Sequence, residues 1–262
     1  MKICRFIDPE TQRPSYGMIE GAQVFTLRGD LSDGTLSLEG VEPSVGLSDA
    51  RLLPPVKPSK VVCVGRNYRE HAAELGNPMP EEPLLFLKAP SAIIADGEPI
   101  TLPEASARIE HEGELAVVIG RRCGPLAADD DPLAYVLGYT CLNDVTARDL
   151  QRRDVQFTRG KSFDTFCPVG PYVVTGLDPS DLSVVTRVNG EVRQNGRTSA
   201  MAFPVAHLVR YISQAMTLEP GDLIATGTPA GVGPLKDGDV VEVEVEGVGV
   251  LRNPVRGSAQ QG

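Results

Sequence analysis

The chain has 262 residues, 41% of them hydrophobic and 23% charged, which suits a globular protein of one large domain with at most a small appendage. Lys and Arg number 25 against 35 Asp and Glu, so the formal charge is −10; no basic surplus exists for nucleic acid or an anionic membrane, although a few local cations could still hold a small anionic substrate. The five cysteines (Cys4, Cys63, Cys123, Cys141, Cys167) lack C-x-x-C spacing, and Met1 to Glu10 lacks the long apolar core of a signal peptide, so the expectation is a reduced, cytoplasmic protein without a disulfide framework or zinc knuckle.

Abundant glycine and proline, 27 and 22 residues, predict many turns, as in a β-rich fold. Residues 1–55 read as a small β-rich module: Lys2 to Ile7 is a strand, and Gly17 to Leu27 alternates about a Glu20-Gly21 turn. The proline-rich stretch Leu53 to Pro58 reads as a stiff linker. Lys60 to Val64 is then a buried strand, and Gly65-Arg66-Asn67 turns the chain into a short helix, Tyr68 to Leu75, stopped by Gly76. His71 and Glu74 lie three apart and share a face of that helix. They can co-operate on a water, or they are a surface helix pair. Asn77 to Pro83 reads as a loop able to move, and Leu84 to Ala89 as a strand carrying Lys88.

In Ile109 to Gly120, I-E-H-E-G-E-L-A-V-V-I-G, Glu110, Glu112 and Glu114 recur at every second position and so leave one face of a strand whose continuation is apolar. Stacked like charges call for a positive partner. A hard divalent cation is one reading; a solvated strand face is the other. His111-Glu112 opens like a zincin motif, but Leu115 stands where the second histidine is required, which rejects it.

The run Asp129-Asp130-Asp131 reads as a solvated loop. Tyr135 to Leu142 is a strand ending at Asn143-Asp144. Thr146 and Asp149 match a capping box, opening a helix on which Arg148 and Gln151 share a face with Arg152 beside them. Asp144 is either a functional residue at this strand-to-helix junction or a simple turn residue. Thr158 to Lys161 reads as a loop, Pro171 to Thr175 as the start of a strand, Val184 to Asn195 as a hairpin turning at Asn189-Gly190, and Pro204 to Met216 as a helix burying Val205, Leu208, Val209, Ile212 and Met216. Leu223 to Thr226 and Val240 to Glu246 are strands flanking the glycine-rich turn Thr226 to Gly231, and residues 258–262 read as a disordered tail.

Six blocks, taken together and in order, resemble the fumarylacetoacetate hydrolase family: G-R-N-Y-R-E-H-A-A-E (65–74), L-F-L-K (85–88), E-H-E-G-E-L-A-V-V-I-G (110–120), N-D-V-T-A-R-D-L-Q (143–151), R-G-K-S-F-D-T-F-C-P-V-G-P (159–171) and P-G-D-L-I-A-T-G-T-P-A-G-V-G (220–233). The resemblance implies a β-rich α+β protein whose residues 56–257 form a mixed β-roll catalytic domain, usually in a homodimer. It implies one divalent ion, Mg²⁺ before Mn²⁺ or Ca²⁺, on Glu112, Glu114 and Asp144, with Glu110 outside the ligand set. It implies a catalytic His71–Glu74 dyad on a lid that orders with ligand, Lys161 as a catalytic cation, and substrate contacts from Arg66, Lys88, Arg148, Gln151 and Thr228. Val64 stands where the tyrosine-degradation member carries a further aspartate ligand, so the smaller acylpyruvate hydrolase and 2-hydroxyhepta-2,4-diene-1,7-dioate isomerase members are the nearer resemblance. Such members act on 2-oxo or 2,4-dioxo acids through a metal-bound enolate. Acylpyruvate hydrolysis to pyruvate is the first expectation; isomerisation, tautomerisation or oxaloacetate decarboxylation come next, and a non-catalytic binding protein is the remote alternative.

Overall fold

The alternation near the N-terminus forms the expected meander. Lys2–Ile7 (β1), Pro14–Glu20 (β2), Gln23–Arg28 (β3) and Ser37–Gly46 (β4) pair antiparallel in order, and Leu52–Leu53 (β5) pairs with β1. The structure, a computed structural model, is described for residues 1–257 apart from the side chains of 38–42; the tail expected at 258–262 lies outside the described residues. The proline-rich stretch is packed instead of free, because Val56 is buried in the core beside Ile3 and Val61.

Val61–Gly65 (β6), the helix Arg69–Glu74 (α1) and Leu84–Lys88 (β7) follow, then the short strands Ile93–Ile94 (β8) and Ile100–Leu102 (β9). The acidic stretch is not one strand. Ile109–His111 (β10) belongs to a three-stranded sheet and Gly113–Ile119 (β11) to a twelve-stranded one, with Glu112 at the switch between them. Val136–Asn143 (β12) pairs with β11, and Thr146–Ala147 (β13) pairs with β10.

The predicted capping box does not form. Thr146 lies in β13 and its hydroxyl donates to the Asp144 carbonyl, while the Asp149 carboxylate accepts from Ser106 and the Ala107 and Leu150 amides. The helix Arg148–Arg153 (α2) therefore starts without a side-chain cap. Residues read as a loop form one helical turn, Thr158–Lys161 (α3), packed so closely on α2 that a Cβ on Gly160 would lie 3.0 Å from the Gln151 nitrogen.

Cys167–Val174 (β14) joins the N-terminal meander to the rest of the large sheet, whose order runs β4-β3-β2-β1-β14-β12-β11, then Leu223–Ala225 (β17), β6 and β7. Ser183–Val188 (β15) and Glu191–Arg197 (β16) form the predicted Asn189-Gly190 hairpin. It continues through Val240–Val245 (β19) and Gly249–Gly257 (β20) into a five-stranded sheet, and Gly233–Pro234 (β18) completes the small one. The sheets are mixed: β6 runs parallel to β17, and β9 to β20.

The large sheet is covered on both faces, which is why β11 reads as a continuous apolar run. Ala116 and Val118 enter one hydrophobic cluster, and Leu115, Val117 and Ile119 enter the other. The long helix Val205–Ala215 (α4) covers the second cluster with Val205, Leu208, Val209 and Ile212. No helix among the described residues is long and apolar enough to cross a membrane.

Candidate active site

The switch of sheets at Glu112 builds the floor of the site. The Glu112 amide donates to Asn143 Oδ1 at 3.0 Å, and the Asp144 amide donates to the Glu112 carbonyl at 2.8 Å, tying the end of β12 to the junction of β10 and β11. Glu112, Glu114 and Asp144 are all buried, and one oxygen from each lies within 4.8 Å of the others. Oxygens sharing one ion at about 2.1–2.5 Å sit up to about 4–5 Å apart, and an all-carboxylate set is what hard cations such as Mg²⁺, Mn²⁺ or Ca²⁺ take, so the residues fit a divalent ion.

Protein cations ring this floor. Lys161 Nζ donates to Glu112 Oε2 at 2.8 Å and to Asp144 Oδ2 at 2.6 Å. Lys88 Nζ donates to Asp144 Oδ1 at 2.6 Å and also to the Val145 and Lys161 carbonyls. Arg148 spans Glu110 Oε2 through Nε at 2.6 Å, Glu112 Oε1 through a terminal nitrogen, and Gln151 Oε1 at 2.6 Å. Part of the positive charge that the glutamate repeat demands is therefore built into the chain. Among the described residues no cation pairs with Glu114; its side chain accepts from the Gly227 amide at 2.8 Å.

These contacts push the carboxyls in opposite directions. Burial would raise Glu112, but the Lys161 ammonium and the Arg148 guanidinium outweigh it and hold the group below the usual carboxylate range. Glu114 is pushed well above that range, first by burial and then by Asp144 and Glu112. Burial would neutralise Lys161, but Asp144 and Glu112 prevail and it stays an ammonium.

Above the floor lies a cavity of about 340 Å³. His71 on α1 lines it, with Nδ1 3.4 Å from Glu74 Oε2, and both oxygens of Glu74 accept from the Gly231 amide at 3.1 Å. Burial lowers the His71 pKa from its ordinary value, so the imidazole is neutral at pH 7. Glu112, Glu114, Asp144, Lys161 and Thr228 line the same space, as do Arg66, Arg148 and Gln151. Thr228 donates its hydroxyl proton to the Gly113 carbonyl at 2.8 Å. A substrate oxygen there meets a lone pair unless it draws that proton away.

The tertiary structure thus gathers the residues that the sequence singled out from six separate blocks. Lys88 and Glu74 stand one step back: Lys88 is engaged by Asp144 and two carbonyls and is not among the cavity-lining residues, and Glu74 reaches the cavity through His71. Glu110 pairs with Arg148 and Arg108, outside the carboxylate cluster. His111, whose zincin reading was rejected, faces Gln194 instead, with its Nδ1 3.1 Å from Oε1.

Sequence reading missed four contributors. Asn143 holds Glu112, Asn67 ties the Phe203 and Thr226 backbones together, Arg152 lines the cavity, and Gln194 grips the glycine-rich turn. Only Arg152 had a signal, one position past Gln151 on α2. Asn143 ends β12, Asn67 lies in the turn between β6 and α1 and Gln194 in a solvent-patterned hairpin, where nothing local shows which backbone each will hold.

Residues 60–256 match the family described as fumarylacetoacetate (FAA) hydrolase C-terminal, and residues 1–55 match one described as Rv2993c-like, N-terminal. A protein of Archaeoglobus fulgidus is 52% identical over 234 residues, covering 87% of this chain and 93% of its own length. The oxaloacetate tautomerase YisK of Bacillus subtilis is 44% identical over 224 residues, covering 80% of this chain and 74% of its own. The crystal structure of 2-hydroxyhepta-2,4-diene-1,7-dioate isomerase from Mycobacterium marinum superposes with a TM-score of 0.87 at 44% identity, over 99% of this chain and 100% of that one. With its sheets, its carboxylate floor and these likenesses in agreement, the chain belongs to the fumarylacetoacetate hydrolase family.

Proposed function

We propose that the protein interconverts keto and enol forms, or shifts a double bond, in a short 2-oxo dicarboxylic acid. One observation carries this reading: three buried carboxylates converge in a cavity that also holds a neutral imidazole and a fixed ammonium. Similarity to proteins named oxaloacetate tautomerase and diene-dioate isomerase supports the isomerising outcome. Arg66 and Arg152 line the cavity without an ion-pair partner among the described residues, which suits a second substrate carboxylate.

Glu112, Glu114 and Asp144 would hold one divalent cation, of which Mg²⁺ suits the all-oxygen set. When bound, that ion supplies Lewis-acid stabilisation of negative charge on the 2-oxo oxygen. The chain's own residues do the rest. His71 takes the proton from the carbon next to the ketone, and the same imidazolium returns it to the enolate oxygen, or to a carbon further along a conjugated chain. Glu74, held by the Gly231 amide, orients the ring and stabilises its transient charge. Lys161 and Arg148 place positive charge beside the oxygens where the enolate's charge collects.

The His71–Glu74 pair also favours a second reading, acylpyruvate hydrolysis. His71 would take a proton from water as the hydroxide adds to the 4-carbonyl; the carbon–carbon bond then breaks to give a carboxylic acid and pyruvate enolate, which takes up the proton. A single panel separates the two. Oxaloacetate enol absorbance and lactate-dehydrogenase-coupled pyruvate release from acetylpyruvate are followed with Mg²⁺ and again with excess chelator. Chelator-sensitive enol conversion above the buffer rate without pyruvate is the expected result. Pyruvate release from acetylpyruvate would establish the hydrolytic reading, and no metal-dependent conversion of either substrate would sink both. His71→Ala should lose about 10²-fold or more of turnover while Mg²⁺ binding, measured by calorimetry, is retained.

A further inference from the structure

The Thr226–Gly231 turn touches each part of the site. Its Gly227 amide donates to Glu114, its Thr228 hydroxyl to the Gly113 carbonyl, and its Gly231 amide to Glu74. The turn depends on close backbone approach. Gly227 and Gly231 have φ of +98° and +102°, and a Cβ on Gly231 would lie 2.0 Å from the Arg193 carbonyl oxygen. What grips the turn from behind is β16, none of whose described residues lines the cavity.

Gln194 makes that grip. It is fully buried, and its amide donates to Thr228 Oγ1 at 2.6 Å and to the Pro229 carbonyl at 2.7 Å. Its Oε1 accepts from the Gly113 amide at 3.0 Å and faces His111 Nδ1 at 3.1 Å. Both of its protons and both lone pairs are engaged, so the amide cannot flip without losing bonds on both sides. Gln194, Thr228 and the Gly113 peptide form a ring in which Gln194 donates to Thr228, Thr228 donates to the Gly113 carbonyl, and the Gly113 amide donates back to Gln194. Two residues along β16, Gly196 packs against the same turn, since a Cβ there would lie 2.5 Å from Pro229 Cβ.

We infer that Gln194 is a positioning residue for substrate binding: from outside the cavity it fixes the Thr228 hydroxyl and the turn that carries it. The substrate consequence rests on the reading of the site given above; the mechanical consequence does not.

The test uses three measurements on the full chain. Hydrogen exchange of the 226–231 segment in metal-free protein, and of the Gly113 amide that Gln194 accepts from, should quicken in Gln194→Met while residues 115–119 of β11 and the β19 segment keep their wild-type rates. Oxalate, a stable mimic of a 2-oxo-acid enolate, would draw the Thr228 proton from the Gly113 carbonyl while Gln194 goes on donating to the same oxygen; titrated by calorimetry with saturating Mg²⁺, it should bind about tenfold more weakly to Gln194→Met and to Thr228→Val, the size of one lost hydrogen bond. The double variant should bind no more weakly than Thr228→Val alone, because Gln194 acts through that hydroxyl. Gly196→Ala pushes on Pro229 without stranding a polar group, and should reproduce the faster exchange and weaker oxalate binding if Gln194→Met does not fold. Unchanged exchange in the turn, or losses that multiply in the double variant, overturns the assignment. A wild-type protein that binds no oxalate refutes the functional reading, and the exchange measurement still decides the role of Gln194.

Discussion

Of the three clustered carboxylates, Glu114 is the one that cations among the described residues compensate least. Glu112 and Asp144 each meet ammonium or guanidinium groups, while Glu114 meets one backbone amide and is raised by burial and by its acidic neighbours. Glu114→Gln should therefore act in two directions. Calorimetry should show Mg²⁺ affinity falling at least tenfold, and the melting temperature of the metal-free protein should rise by about 2–4 °C, the effect of roughly 1 kcal/mol of relieved repulsion in a chain of this size. The histidines give a pH dependence whose sign follows from burial, which lowers the pKa of both His71 and His111 below 6.5. As pH falls below about 6.5 the unfolded chain takes up protons that the folded chain does not, so stability falls with pH there and is fully present above it. Melting temperatures measured from pH 7.5 to 5 should show that decline, and the acid limb of turnover should lie below 6.5.

At the scale of elements, the decisive feature is the change of sheet at Glu112. The period-two spacing of the glutamates put Glu110, Glu112 and Glu114 on one face, and of these Glu112 and Glu114 do converge, in one cluster with Asp144. It could not show that Glu110 belongs to another sheet, since the break depends on Asn143 and Asp144 gripping the Glu112 backbone from β12. Gly113 makes the junction possible: a Cβ there would lie 2.0 Å from Thr186 Oγ1 and 3.2 Å from both methyls of Val243. Gly113→Ala should cost about 1–3 kcal/mol through overpacking, read as a loss of several degrees in melting temperature. The missed turn at Thr158–Lys161 has a similar cause. A four-residue helix carries almost no periodic signal, and packing of Gly160 on α2 holds it.

For the whole molecule, the N-terminal strands complete a shared sheet. β1 pairs with β14 at Lys2–Val174 and Ile3–Val173, and Ile3 and Tyr16 enter the same hydrophobic cluster as Ala116 and Leu142. A chain lacking residues 1–55 would bare the edge of β14 and that cluster, so it should aggregate when expressed, which light scattering of the purified fragment would show. A monodisperse, fully active fragment would mean the module contributes no essential burial.

By itself the sequence determined the strand and helix periods, the long helix with its buried stripe, the acidic repeat, and the ordered blocks that mark the family. Those properties are local, set by side-chain alternation and by turn residues within a few positions. Only the tertiary structure decided that Glu110 belongs to another sheet, that Lys88, Arg148 and Lys161 are committed to the acids of the floor, and that Gln194 holds the turn from behind. These depend on partners brought together across the chain, 81 positions apart for Gly113 and Gln194, and burial sets their charges and contacts only once the sheets have closed over them.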